Sequence, residues 1–149
     1  PFVGAFADSM PKGRVMFVTN TVKVLGCVAM LFYAQLSVPG MSPYFTVLFA
    51  YAIVGLGAAA YSPAKYGILT ELLPPSQLVA ANGWIEGLTV GSIILGTLLG
   101  GWLVSAGMSE RLLAFDFPFL DTAVDSPGEA AIMVILFGYV IAAVFNLYI

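Results

Sequence analysis

Histidine is absent from the 149 residues. That removes imidazole acid–base catalysis, Ser-His-Asp triads and histidine metal sites together. The single cysteine, Cys27, excludes a disulfide within the chain and a thiolate metal cluster. Set inside an apolar run, it reads as a small buried hydrophobe. Charge is equally scarce: Asp, Glu, Lys and Arg make up 9% of the chain, where a soluble domain carries about 25%. So few ionised groups cannot cover a water-facing surface. The net charge of −3 and the lack of clustered Lys and Arg also argue against a nucleic-acid partner. No resident metal or cofactor is expected.

What is present is apolar: 60% hydrophobic residues and a mean hydropathy of +1.00. The chain reads as an all-α integral membrane protein with no soluble domain. Residues 1–7 read as the end of a helix, followed by a polar turn at 8–14. Full spans are predicted at about 15–36, 44–64, 78–106 and 130–149. Each is long enough for roughly 30 Å of hydrocarbon at about 1.5 Å per residue. Pro63 is expected to end or kink the second of these, and Ser76 to cap the third. Residues 107–129 read as an acidic polar loop. The chain starts at Pro1 without a signal peptide and is still apolar at Ile149, so it is expected to be an internal piece of a longer polytopic protein. Lys12, Arg14 and Lys65 lie in or beside the first and third connections, which places those in the cytoplasm by the positive-inside rule.

Ionisable residues within or beside such spans are costly and mark sites. Asn20 and Lys23, three residues apart, share a helix face. Lys23 either snorkels toward the interface or forms a polar wall that meets a phosphate. Lys65, just past Pro63, is an interfacial lysine or a cation for a lipid phosphate. Ser62 and Lys65 match the Ser-x-x-Lys motif of penicillin-binding proteins, but its companion Ser-Asp-Asn and Lys-Thr-Gly motifs are missing. Asn82, Glu86 and Thr89 form one polar stripe by their spacing. Glu86 lies deep enough to need a cation, a proton or water, and a structural Lys–Glu pair with Lys65 or Lys23 is one solution. Gly83, Gly87 and Gly91 give two successive Gly-x-x-x-Gly spacings, and Gly96 with Gly100 a third. They read first as helix packing and second as a sliding surface.

Two stretches, Ala59-Ala60-Tyr61-Ser62-Pro63-Ala64-Lys65-Tyr66-Gly67 and Ala81-Asn82-Gly83-Trp84-Ile85-Glu86, resemble the lysophospholipid transporter family of the major facilitator superfamily. The resemblance covers essentially the whole chain and is strongest over residues 57–101. It implies part of a helical bundle, from the end of helix 2 to the end of helix 6 in the N-terminal half of a twelve-helix protein. Gly4, Asp8, Lys12 and Arg14 then match the gating turn between helices 2 and 3. Lys12 stands where arginine is usual and Pro11 where glycine is, and a plain solvated turn is the alternative.

The family further implies a transporter, not an enzyme. It would flip lysophospholipids such as 2-acyl-glycerophosphoethanolamine across the bacterial inner membrane by alternating access. A cytoplasmic acyltransferase is the possible partner for reacylation. The substrate head group carries a phosphate and an ammonium, so Lys65 and Glu86, with Lys23, Asn20 and Asn82, are the candidate head-group residues. The alternative is a drug/proton antiporter of the same superfamily with Glu86 as proton carrier. The glycine-rich helix lacks the proline of the antiporter signature.

Overall fold

Proline and serine set where the helices begin. Proline at a first helical position forgoes no hydrogen bond, because that N–H has no partner inside the helix anyway. In the computed structural model, which describes residues 5, 10–36, 40, 42–114 and 126–148, three of the helices start this way. They are α3 (Pro43–Leu72) after Ser42, α4 (Pro75–Leu103) after Pro74, and α6 (Pro127–Phe145) after Ser126. The others are α1 (Lys12–Leu31), α2 (Tyr33–Leu36) and α5 (Ala106–Leu113), and a 3₁₀ turn, Asn146–Tyr148, follows α6. The described residues contain no strand.

Several boundaries differ from expectation, for identifiable reasons. α1 starts at Lys12 because Pro11 occupies the cap position, so the basic residues form its first turn. It breaks at Phe32, whose backbone leaves helical geometry (φ −99°, ψ 25°), and the chain resumes as the short α2. α4 is capped by Pro74, and Ser76 already lies inside the helix. Pro63 does not end α3, which continues to Leu72. An interior proline costs about 3 kcal/mol. Ending a helix inside a bilayer leaves several backbone groups unpaired at several kcal/mol each, so continuation is cheaper. The stretch expected as a polar loop contains α5, which follows a cap at Ser105. Of the expected helix end at residues 1–7 only Ala5 is described, and it is helical.

α1, α3, α4 and α6 with its trailing turn are long and apolar enough to cross a membrane. α1 packs along α3 and, less extensively, along α6. Glycine lets α1 and α3 approach. A Cβ on Gly57 would stand 2.8 Å from the Thr19 carbonyl oxygen, and one on Gly26 would stand 2.5 Å from Val54 Cγ2. Around these contacts sit two apolar clusters. Val15, Met16 and Ala64 form one with Met10, Tyr61 and Ile68; Cys27, Met30 and Ala50 form the other, against Ile132, Leu136 and Tyr139 among others. Cys27 is buried and free, as a small hydrophobe should be.

α4 stands apart. Leu103 is its one buried residue, and it meets α3 and α6 over only a few residues each. The polar residues that join the two helices of the α3–α4 hairpin lie well inside it, with Thr89 midway along α4.

A candidate functional site in the α3–α4 hairpin

Antiparallel pairing through Leu73-Pro74 brings Lys65 and Tyr66 of α3 opposite Glu86 and Thr89 of α4. Lys65 Nζ donates to Thr89 Oγ1 at 2.9 Å. The Thr89 hydroxyl donates in turn to the Ile85 carbonyl at 2.7 Å, which fixes its lone pairs toward the lysine. Tyr66 Oη donates to Glu86 Oε1. The Lys65 ammonium also lies over the Tyr66 ring, 4.8 Å from its centre. A direct Lys65–Glu86 pair, one of the solutions open to Glu86, is not what joins the helices: Lys65 bonds to Thr89, and Glu86 to Tyr66.

Beside this seam is an open cleft of about 500 Å³, lined by Lys65, Ile85, Leu88, Thr89, Ser92 and Ile93. The α4 residues follow the i, i+3, i+4, i+7 spacing of one helix face. The cleft is thus amphiphilic. An ammonium and two hydroxyls form its polar part, and Ile85, Leu88 and Ile93 its apolar part. Such a surface suits a molecule with an anionic head and a hydrocarbon tail.

The other sequence-predicted residues lie elsewhere. Lys23 is buried, 8% exposed, midway along α1. It donates to Asn20 Oδ1 at 2.9 Å and sits over the rings of Tyr61 (4.3 Å) and Tyr139 (5.4 Å). A lysine at a helix centre in a bilayer costs roughly 2.5–3.5 kcal/mol on insertion scales. Two aromatic faces at about 0.5–2 kcal/mol each and a hydrogen bond from a charged group at about 1.5–3 kcal/mol offset that. Lys23 and Asn20 thus join α1, α3 and α6 without lining the cleft. Asn82 is exposed on α4. Gly83, Gly87, Gly91, Gly96 and Gly100 would each accept a Cβ with nothing within 4 Å among the described residues. Gly4 and Asp8 lie outside the described residues. Lys12 lays its side chain over Gly67, its Cε 3.1 Å from where a Cβ would stand, while Arg14 is exposed.

Sequence reasoning singled out neither Tyr66 nor Ser92. Ser92 was findable, since it continues the Glu86–Thr89 spacing by another three residues. The role of Tyr66 depends on how α3 and α4 are rotated about their axes, and no spacing within one helix gives that.

The sequence model of the Major Facilitator Superfamily matches residues 1–149. Among curated relatives, the lysophospholipid transporter LplT of Klebsiella pneumoniae (strain ATCC 700721) is 50% identical over 119 residues, covering 77% of this chain and 27% of the relative. The protein of the same name from Enterobacter sp. (strain 638) is 50% identical over 103 residues, 69% of this chain and 23% of its own length. That from Escherichia coli O139:H28 is 45% identical over 119 residues, again 77% and 27%. The chain spans about a quarter of the length of these relatives. No solved structure matches it. With a match over its full length and four helices able to cross a membrane, the chain belongs to the major facilitator superfamily.

Proposed function

We propose that this chain forms part of the N-terminal half of a lysophospholipid transporter of the bacterial inner membrane. One observation carries the reading: the cleft that holds the Lys65 ammonium is continuous with an apolar face of α4. The lysolipid phosphate displaces Thr89 from Lys65 and is held by that ammonium with the hydroxyls of Thr89 and Ser92. Glu86 takes the ammonium of a phosphoethanolamine head group. The acyl chain lies along Leu88 and Ile93 toward lipid. Transport proceeds by rocking the two halves of the full protein around this site, with no covalent bond made or broken. The names of the relatives support this substrate class. We propose further that 2-acyl-glycerophosphoethanolamine is delivered for reacylation by a cytoplasmic acyltransferase. Gly4, Asp8, Lys12 and Arg14 would form the gating turn, and the α4 glycines would pack against helices of the other segments of the protein.

The test follows labelled lysophosphatidylethanolamine into diacyl lipid, using the full-length protein in spheroplasts that lack endogenous lysolipid uptake. Lys65→Ala and Glu86→Gln each remove a charged hydrogen-bond partner and should lower conversion by about tenfold or more. Wild-type conversion with both variants unaffected would leave the substrate in place but remove the cleft from the account. No conversion by wild type, with the acyltransferase present, would overturn the lysolipid reading and bring forward the antiporter with Glu86 as proton carrier.

A further inference from the structure

We infer that Tyr66 is a positioning residue that keeps Lys65 and Glu86 from neutralising each other, so that both charges remain available to a zwitterionic head group. The inference rests on the proposed function and names a residue which that reading does not require. Three observations converge on it. The Tyr66 hydroxyl donates to the Glu86 carboxylate. The Lys65 ammonium lies over the same ring, 4.8 Å from its centre. The ammonium is anchored on Thr89 and not on the carboxylate, although Glu86 and Thr89 are three residues apart on one helix.

Between two helices able to cross a membrane, opposite charges that close attract strongly where lipid takes the place of screening water. A Lys65–Glu86 pair that closed on itself would bury both site charges in one bond. Tyr66 prevents this through its hydroxyl, which holds the carboxylate by Oε1, while its ring gives the ammonium a neutral partner. Each charge is thereby satisfied by a neutral partner, which a charged substrate group can displace more readily than it could displace an opposite charge.

The experiment uses the full-length protein and two probes, lysophosphatidylethanolamine (zwitterionic) and lysophosphatidylglycerol (anionic). Uptake is compared for wild type, Tyr66→Phe, Glu86→Gln and the double variant at matched membrane levels. Phenylalanine keeps the ring and loses the hydroxyl, freeing Glu86 to reach Lys65. Tyr66→Phe should therefore lower uptake of both lipids by about tenfold. Adding Glu86→Gln removes the competing carboxylate and should raise lysophosphatidylglycerol uptake at least about fivefold above Tyr66→Phe alone. The zwitterionic probe should show no such recovery. A tyrosine that only stabilises the fold predicts a double variant no better than either single one, and that result overturns the inference. So does a Tyr66→Phe protein that transports both lipids as wild type does. Absent uptake by wild type overturns the proposed function, and this inference with it.

Discussion

At Gly57 a backbone oxygen, not a flexible side chain, limits what the site tolerates. A methyl group there meets the Thr19 carbonyl at 2.8 Å and Lys23 Cγ at 2.9 Å, so α1 and α3 have to separate. Gly57→Ala should destabilise the protein by about 1–3 kcal/mol. Gly55→Ala on the same helix meets nothing within 4 Å among the described residues and serves as control. Thermal unfolding in detergent distinguishes them, and equal melting of the two variants would contradict the packing assigned here. The Lys23 cage makes a second expectation. Tyr61→Leu strips one aromatic face from a buried ammonium and should cost about 1–2 kcal/mol. In a Lys23→Met background, where no charge needs compensation, the same change should cost clearly less. An unchanged cost in the two backgrounds would mean that the tyrosine acts through packing alone. Lys23, Lys65 and Glu86 were legible in the sequence because charge is rare there. Tyr61, Tyr66 and Tyr139 were not, because aromatic residues are common in such a chain and which of them meets a cation is decided across helices.

The four long helices were legible for an equally physical reason: an apolar run of that length has few other uses. Their ends were less so. Pro63 reads as a stop in water, yet α3 passes through it, since lipid offers nothing to the backbone groups that a stop would expose. α5 escaped notice because Gly107, Ser109, Glu110 and Arg111 give its eight residues the composition of a polar loop. The start of α6 was passed over too: the stretch read as loop up to residue 129 holds its capping box. Ser126 Oγ accepts from the Glu129 N–H at 3.3 Å and the Glu129 carboxylate accepts from the Ser126 N–H at 2.9 Å. Ser126→Ala removes one half of this box and should cost about 0.5–2 kcal/mol. Amide hydrogen exchange should report it as faster opening confined to the first turns of α6. Uniform loss of protection along α6, or none, would show that the cap does not hold this end.

Among the described residues, α1, α3 and α6 form a glycine-fitted and aromatic-pinned unit, while α4 meets α3 and α6 over a few residues each and is joined to α3 by the Lys65–Thr89 and Tyr66–Glu86 hydrogen bonds. The central claim is that the cleft beside these bonds, and not the far side of α4, receives the lysolipid. The most direct measurement places a photoreactive side chain at Ser92, inside the cleft, or at Ile94, which helical spacing turns to the opposite side of α4. Full-length protein in membranes is irradiated with labelled lysophosphatidylethanolamine, with and without an excess of unlabelled lipid. The account expects labelling at position 92 that the unlabelled lipid suppresses, with weak and unsuppressed labelling at position 94. Equal labelling at both positions, indifferent to competitor, would contradict it.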